Sequence, residues 1–324
     1  MRIQYSMLVA LLAFSGLPSA AQAQDRYPMK SVRIIVPFAP GGSTDIIARL
    51  IAERLTASLG QSVLVENRPG AAGGLGADAV AKAAPDGHTL LMATTGVMAI
   101  NQFLYKSMAY DPERELVPAV FVASITNVLA VPADLPVRTV AELVALARKD
   151  AGKLSFASSG AGSSTHLSAE LFKSLTNTDI LHVPYKGSGQ ALADVVTGRV
   201  SMIFDNMPSA LPHIKAGKLR ALAVTGSKRS AALAEIPTVA EAGVVGYESL
   251  SWSGLAVPIG TPRETIARLN REVIAILAAS EMRQKFADQG ADAVGGTPQA
   301  FDDHIKTERL KWGKLVRDRS ITVN

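Results

Sequence analysis

Short apolar runs alternate with amphipathic segments along most of the chain. Val32–Phe38 is apolar apart from Arg33, as is typical of a buried strand, and apolar residues then recur at helical spacing between Ile47 and Leu55. Further strands are predicted at Val63–Val65, Thr89–Ala93, Leu154–Ala157, Ile180–Val183, Val200–Phe204 and Leu219–Val224. Further helices are predicted at Ala77–Ala84, Val140–Ala147, Leu167–Leu175 and Ala191–Val196. This alternation favours an α/β fold with a mostly parallel sheet.

Three segments carry the Thr-x-x-Glu pattern of a capping box. They are Thr139–Glu142, Thr238–Glu241 and Thr261–Glu264, the last with Pro262 at the first helical position. In a capping box the threonine hydroxyl accepts a backbone N–H and the glutamate side chain reaches back to the cap. Each pattern therefore predicts the N-terminus of a helix.

Two longer extended runs interrupt this rhythm. Val120–Val131 ends at Pro132, and Tyr247–Val257 ends at Pro258. We interpret both runs as crossings between two lobes, since a chain of this length is enough for two cores. Paired crossings predict that residues 24–125 and 249–324 form the first lobe. Residues 126–248 would form a second lobe inserted into it.

The first 23 residues have the pattern of a secretory signal. Arg2 precedes an apolar stretch from Met7 to Leu17, and small residues then lead to Ala23, after which cleavage is expected. The stretch is well short of the roughly 20 residues that span a bilayer, so a membrane anchor is the weaker interpretation. The chain has no cysteine, so an exported form must depend on core burial rather than on disulfides.

The distribution of charge favours a small anionic ligand over nucleic acid. Removing Arg2 from the 33 basic residues leaves 32 against 28 acidic residues, a net charge of +4. The excess is spread along the chain, whereas nucleic-acid binding would need a basic stripe. The five histidines have no metal-ligand spacing, so we expect neither a metal nor another cofactor.

Two loops rich in glycine and hydroxyl groups each join a predicted strand to a predicted helix. They are Phe38–Asp45 and Gly160–His166. Each presents free backbone N–H groups at a helix N-terminus, where a carboxylate binds readily. Either loop alone could be a tight turn with a capping serine, and Asp45 is expected to have a structural role. Two such loops at strand ends, one in each lobe, predict a ligand held between the lobes.

Cofactor and catalytic patterns fit less well. Gly74–Ala79 matches the dinucleotide pattern G-x-G-x-x-A, but a redox cofactor suits an exported protein poorly, and close helix packing is the better interpretation. A serine hydrolase would need a base within reach of Ser163 or Ser164, and His166 is at the wrong helical offset to face either. We therefore expect a binding protein and not an enzyme.

Eight motifs follow one another in order from about Tyr27 to near the end of the chain. They are Val36–Asp45, Glu66–Gly74, Pro85–Gly87, Gly160–His166, Val183–Gly187, Phe204–Asn206, Pro237–Gly243 and Trp252–Leu255. Together they resemble the tripartite tricarboxylate transporter receptors, also called Bug or TctC-like proteins. The resemblance implies a two-lobed, type II periplasmic binding-protein fold, in which each lobe is a mostly parallel sheet flanked by helices and the ligand lies in the cleft between the lobes.

The same resemblance implies a function. The chain would be a periplasmic receptor, expected to be a monomer, that delivers a small carboxylate to an integral-membrane permease of the tripartite tricarboxylate type. A dicarboxylate, an amino acid and an aromatic acid all stay open as ligands. A ligand sensor for a membrane signalling partner would need the same cleft and stays open as an alternative.

By position, the resemblance also implies which residues contact the ligand. The first-lobe contacts would be Phe38, Ala39, Gly42, Ser43, Thr94 and Thr95. The second-lobe contacts would be Ser159, Ser163, Ser164 and Thr165, with Tyr185, Lys186 and Asp205 on the far side. Met98 stands where histidine is frequent in relatives, which weakens the case for a strongly charged distal end of the ligand. We expect Met98, Tyr185 and Asp205 to decide which acid is bound.

Overall fold

Strands and helices alternate along most of residues 27–319 and 321–322, which are those that the computed structural model describes. The strands are β1 Val32–Val36, β2 Val63–Asn67, β3 Thr89–Thr94, β4 Leu116–Pro132, β5 Ser155–Ser158, β6 Leu181–Pro184, β7 Met202–Asn206, β8 Leu219–Val224, β9 Leu250–Pro258 and β10 Ala291–Ala293. The α-helices are α1 Ser43–Leu59, α2 Gly74–Ala81, α3 Asn101–Leu104, α4 Val140–Lys149, α5 Ser164–Thr176, α6 Ser188–Val196, α7 Met207–Lys215, α8 Arg263–Ala278, α9 Ser280–Asp288 and α10 Pro298–Asp318. The predicted signal segment and its cleavage point after Ala23 lie outside the described residues. Among the described helices, none combines the length and the apolar character that crossing a membrane requires.

Strand β4 runs through both halves of the fold. Its residues from Leu116 to Thr126 pair antiparallel with β9, which pairs in turn with β3, and β1 and β2 continue that sheet in parallel. From Asn127 onward, β4 pairs antiparallel with β7 and β8, and β7 leads to β5 and β6 in parallel. The predicted extended runs are therefore the strands β4 and β9. The change of partner at Asn127 supports the proposed lobe ranges 24–125, 126–248 and 249–324, which stay a prediction.

Helices cover both faces of β1, which explains why the strand is apolar apart from Arg33. Ile34 points into a core cluster with side chains of α1 and α8, including Ile51 and Leu269. Its neighbour Ile35 points to the opposite face, where side chains of α2 and α10 such as Trp312 pack. Two further apolar clusters cover the second sheet in the same way.

The three predicted capping boxes have different outcomes. The Thr139–Glu142 pattern caps α4, where the threonine hydroxyl accepts the Glu142 N–H at 3.1 Å. The Thr238–Glu241 pattern forms both hydrogen bonds of the box, but the prediction of a helix is wrong because the chain makes only a turn there. At Thr261–Glu264 the predicted helix, α8, does begin at Arg263, but Thr261 does not cap it. The Thr261 hydroxyl donates instead to the Pro258 carbonyl at 2.8 Å.

Candidate functional site

A cavity lies where β1, β3, β5 and β7 end, between the two sheets. About 370 Å³ there is free of protein atoms, and part of this space is continuous with solvent. Its lining is uncharged and rich in hydroxyl groups, and consists of Phe38, Gly42, Ser43, Thr44, Thr94, Gly96, Ser159, Ser163, Ser164, Ser188, Asn206 and Ser251. Because no charged side chain of residues 27–319 lines this cavity, backbone dipoles would have to balance the charge of an anionic ligand.

Four helices begin at the cavity. α1 begins at Ser43 and α5 at Ser164, whereas α6 begins at Ser188 and α7 begins directly after Asn206. The first turn of a helix has N–H groups without helical partners, together with the positive end of the helix dipole. Four such ends around one cavity make a site that can hold an anion without lysine or arginine.

The loop before α1 is held by Asp45. Its buried carboxylate accepts the Gly41 N–H at 3.1 Å, the Arg49 Nε–H at 3.1 Å and the Asn67 amide at 3.0 Å. Burial opposes ionisation, but these hydrogen bonds outweigh it and lower the pKa of Asp45. Asp45 is absent from the cavity lining, so its carboxylate orders the loop, as the sequence predicts.

The loop before α5 is ordered by its own hydroxyl groups. Ser163 donates to the Gly160 carbonyl at 2.7 Å and caps α5 by accepting the His166 N–H at 3.3 Å. Thr165 accepts the Ser159 N–H at 2.9 Å. The hydroxyls of this loop are therefore partly committed to its own backbone, which fixes the first turn of α5 against the cavity.

Two stacked imidazoles support the same loop. The rings of His166 and His182 lie 4.0 Å apart, centre to centre. Nδ1 of His166 accepts the Gly162 N–H at 3.1 Å, and Nε2 of His182 lies 2.6 Å from the Ser158 hydroxyl. Burial lowers the pKa of His166 to about 3 and that of His182 to about 4, so both rings are neutral near pH 7.

Direct contacts across the cleft close the cavity. The Ser43 hydroxyl donates to Oδ1 of Asn206 at 2.9 Å, and the Tyr105 hydroxyl donates to the Ala161 carbonyl at 2.5 Å. Gly162 also lies against the other side, because a Cβ added there would be 2.7 Å from the Asn101 carboxamide oxygen. The structure is therefore a closed form, in which the two loops face each other.

Several residues predicted as ligand contacts line the cavity. They are Phe38, Gly42, Ser43, Thr94, Ser159, Ser163 and Ser164. The buried Thr94 hydroxyl makes no hydrogen bond within the part of the chain that the structure describes, so it can bond to a ligand. Whether these residues bind a ligand stays a prediction.

Other predicted contacts lie behind the lining. The Ala39 N–H donates to the Lys186 carbonyl at 3.2 Å, so this pair closes the cleft from outside the cavity. Thr95 accepts the Trp252 N–H at 3.1 Å, and Thr165 is likewise fully buried within its own loop.

Two residues expected to decide specificity also lie away from the cavity. The Tyr185 hydroxyl donates to Asp194 at 2.7 Å, and the Met98 side chain is buried in the apolar core of the first sheet. The prediction that these side chains face the ligand does not agree with the closed structure. The local sequence does not show that the Met98 side chain packs into the core, and it does not show that the Tyr185 hydroxyl bonds to Asp194.

Asp205 is fully buried beneath the cavity rather than facing it. Its carboxylate accepts the hydroxyls of Ser188 and Ser209, each at 2.5 Å, and burial raises its pKa to about 6. The next residue, Asn206, lines the cavity instead, because successive residues of a strand point to opposite faces. Asp205 therefore does not contact the cavity itself, and it orients the lining residue Ser188 through their hydrogen bond.

Some lining residues are not among the ligand contacts that the resemblance implies. They are Thr44, Gly96, Ser188, Asn206 and Ser251. Ser188 could have been found, since it follows a strand and a glycine and begins a helix, as Ser43 does. Ser251 had no local signal, because it reaches the cavity only through β9, where its hydroxyl lies 3.0 Å from that of Ser164.

Comparison with known proteins identifies the family. The family model described as the tripartite tricarboxylate transporter family receptor matches residues 47–321. The chain belongs to this family. The motifs therefore predicted the family correctly, and the chain is a solute-binding receptor with the α/β fold of periplasmic binding proteins.

Curated relatives of this receptor cover nearly its whole length. A UPF0065 protein of Pseudomonas sp. (strain P51), from the tcbD-tcbE intergenic region, is 41% identical over 97% of this chain and 93% of its own. Protein BugT of Bordetella pertussis is 39% identical over 95% of this chain and 94% of its own.

Solved structures of similar proteins include complexes with dicarboxylates. Rpa4515 of R. palustris, solved with adipate, has a TM-score of 0.90 at 42% identity and covers 92% of this chain and 100% of its own. MatC of Rhodopseudomonas palustris, solved with bound malate, has a TM-score of 0.86 at 33% identity and covers 90% of this chain and 100% of its own.

Proposed function

We propose that this receptor captures a small carboxylate, and a dicarboxylate before the other acids, in the cavity between its two loops. The observation that carries the proposal is the convergence of four helix N-termini on one uncharged, hydroxyl-lined cavity. A carboxylate would accept hydrogen bonds from N–H groups on both sides of the cleft, so its binding would favour the closed form. The adipate and malate of two similar proteins support dicarboxylates as the first ligands to try.

Export and delivery form the second part of the proposal. The chain is exported to the periplasm, is cleaved after about Ala23, and works as a monomer that passes its ligand to a tripartite tricarboxylate-type permease. The signal pattern of residues 1–23 and the family support this assignment. Mass analysis of the periplasmic protein should give a chain that begins at Gln24, and a mature protein that retains Met1 would contradict it.

We also propose that the receptor does not turn its ligand over. Ser158 and His182 lie within 2.6 Å, but Ser158 is fully buried and is absent from the cavity lining. A nucleophile must reach its substrate, so this pair supports the loop instead. Hydrolysis of a simple ester such as 4-nitrophenyl acetate, abolished by Ser158→Ala or Ser164→Ala, would restore the hydrolase hypothesis.

The carboxylate assignment is tested by thermal unfolding of protein that has been stripped of bound ligand by unfolding and refolding. The panel contains adipate, malate, succinate, aspartate, glutamate and nicotinate, with the diamides of adipate, malate and succinate as neutral controls. A ligand at a hundredfold excess over its Kd stabilises the folded state by about 2.7 kcal/mol through mass action. We expect at least one acid, and none of the diamides, to raise the unfolding temperature. If no acid in the panel does so, the carboxylate assignment is wrong.

A further inference from the structure

A chain of buried hydrogen bonds runs from the cavity to both strands that cross between the lobes. The Ser43 hydroxyl donates to Oδ1 of Asn206 at 2.9 Å, and Nδ2 of Asn206 donates to Oδ1 of Asn127 at 2.5 Å. Nδ2 of Asn127 donates to the Ser168 hydroxyl at 2.9 Å, which lies 2.7 Å from the Ser249 hydroxyl. We call these five residues the buried hydrogen-bonded chain.

The five residues of the buried hydrogen-bonded chain lie on different elements of the fold. Ser43 belongs to the loop before α1, and Asn206 lines the cavity from the opposite side. Asn127 is the residue at which β4 changes its pairing from β9 to β7. Ser168 lies on α5, and Ser249 directly precedes β9. The buried hydrogen-bonded chain therefore connects the cleft to β4 and β9, the two strands that cross between the lobes.

Burial makes every bond in this chain costly to lose. The exposed fraction is 7% for Asn206, 3% for Ser43 and 0% for Asn127, Ser168 and Ser249. Asn127, Ser168 and Ser249 lie away from the cavity and out of reach of water, so their polar atoms must find hydrogen bonds within the protein. Removing one member leaves its neighbour unpaired, which costs more than the bond itself contributes.

A backbone carbonyl sets the direction of all these bonds. The Ser168 hydroxyl donates its single proton to the Ser164 carbonyl at 2.8 Å, so it must accept from both Asn127 and Ser249. Asn127 therefore turns its NH₂ group toward Ser168 and its oxygen toward Asn206. Asn206 in turn directs its NH₂ group inward and its oxygen toward the cleft.

The oxygen of Asn206 is the group that bonds across the cleft to Ser43 in the closed form. We propose that Ser168 and Asn127 are positioning residues, which hold the Asn206 amide with its oxygen toward Ser43 and thereby stabilise the closed, ligand-retaining state. Neither residue lines the cavity, so both act through Asn206. The inference rests on the proposed function, because it concerns how the closed form retains the bound ligand.

Ser168→Ala is the variant that interrupts the chain with the smallest change of volume. It leaves Nδ2 of Asn127 without its acceptor, so the amides of Asn127 and Asn206 lose their fixed orientation. Ser174→Ala is the matched control, because Ser174 lies on the same helix and its buried hydroxyl makes no hydrogen bond among the described residues. Ser168→Thr keeps the hydroxyl and should restore the wild-type behaviour.

Binding of adipate and of malate is measured for the wild type and these variants by calorimetry and stopped-flow fluorescence. For whichever probe the wild type binds, we expect Ser168→Ala to raise the Kd about tenfold, mainly through faster dissociation. Ser174→Ala should stay within about twofold of the wild type. A loss confined to thermal stability, with Kd and dissociation rate unchanged, would overturn the inference.

A second measurement reports closure without a ligand. The chain has no cysteine, so Glu53→Cys on α1 and Lys149→Cys on α4, both exposed, can carry spin labels on opposite sides of the cleft. We expect Ser168→Ala to shift the distance distribution toward larger separations than in the wild type and in Ser174→Ala. Equal distributions would overturn the inference. A wild type that binds no acid would instead contradict the proposed function, while the distances still test the positioning role.

Discussion

At the scale of single residues, the cavity owes its chemistry to small groups rather than charged ones. Glycine and serine at the helix starts bring backbone N–H groups close to the enclosed space, and the hydroxyls of Ser43 and Ser163 are already oriented by partners in the protein. Thr94 differs from these residues, because its buried hydroxyl has no hydrogen-bond partner among the described residues. Small changes of side-chain volume should therefore have large effects on binding.

Gly42 is the position where added volume should affect binding most directly. Its φ of −82° suits any residue, and a Cβ added there would lie 3.7 Å from the Ser188 Cβ, an ordinary contact. Gly42→Ala should therefore fold normally and weaken carboxylate binding modestly, whereas the branched side chain of Gly42→Val should occupy the carboxylate position and raise the Kd more than about tenfold. Calorimetric Kd values and unfolding temperatures check both variants, and unchanged binding by Gly42→Val would show that the carboxylate lies elsewhere.

Asp205 should make the stability depend on pH. Its pKa is raised from 3.8 to about 6 by burial, so the folded protein binds this proton more tightly than the unfolded chain does. The favourable contribution is complete below about pH 4 and is lost as the pH rises through about 6, a change of about 3 kcal/mol. Asp205→Asn should remove this component.

Urea unfolding from pH 4 to pH 7.5 measures that change as the difference between the wild type and Asp205→Asn, in which the contributions of all other groups cancel. Asp194→Asn is the control, since Asp194 is partly exposed and pairs with Tyr185 and Arg199. If the difference between the wild type and Asp205→Asn does not vary with pH, the carboxylate is not protonated near pH 6.

At the scale of elements, the site depends on where helices begin. The α5 N-cap Ser163 and the α10 N-cap Thr297 both accept a backbone N–H through their hydroxyls, from His166 and Ala300. Only α5 begins at the cavity, so the two caps have the same local geometry but different surroundings. This difference separates the contribution of a cap to stability from its contribution to binding.

Ser163→Ala and Thr297→Ala should each lower the free energy of unfolding by about 1 kcal/mol, because each leaves a helix N-terminus without its cap. Only Ser163→Ala should also weaken carboxylate binding, since it loosens the first turn of α5 and releases the Gly160 carbonyl. Urea unfolding and calorimetry are made on the same samples. Equal losses of affinity in both variants would mean that binding depends on overall stability and not on this helix start.

At the scale of the whole molecule, the fold brings two loops from distant parts of the chain against each other. Strands β4 and β9 cross between the sheets, and the closed form is stabilised by contacts such as the one between Ala39 and Lys186. A ligand that bonds to both sides can shift the molecule toward this form. Closure should therefore be measurable as the rate at which a disulfide forms between cysteines placed on opposite sides of the cleft.

Cysteines at Ala39 and Gly187 should report closure. A Cβ added at Gly187 would lie 3.1 Å from the Ala39 Cβ, slightly less than the roughly 3.5–4.5 Å of a disulfide, so a small shift allows the bond. Neither residue lines the cavity, so the reduced double variant should still bind. A bound carboxylate should speed disulfide formation, and the oxidised protein should neither take up nor release ligand. A rate that does not change with ligand would contradict ligand-driven closure.

The sequence predicted the elements well because their signals are local. The apolar run of β1 reflects a strand covered on both faces, and the spacing from Ile47 to Leu55 reflects one helix packed on it. The segment around Thr238 was wrong as a helix because a capping box needs only one turn, and the chain leaves helical conformation at Gly243 (φ 103°) and Gly246 (φ 80°). Asp205 rather than Asn206 was expected to contact the ligand because the resemblance gives positions, whereas the direction of a strand side chain is set by the fold.

The sequence by itself determined the signal pattern, the alternation of strands and helices, the two glycine loops and the motifs that indicate the family, since each depends on residues close together in the chain. Only the tertiary structure decided that Asn206 and Ser251 line the cavity while Asp205, Tyr185 and Met98 do not. It also decided that Ser168 orients an amide at the cleft through Asn127. The physical reason is that a hydrogen bond between buried groups depends on the register of strands and the packing of helices, and residues far apart in the chain set both.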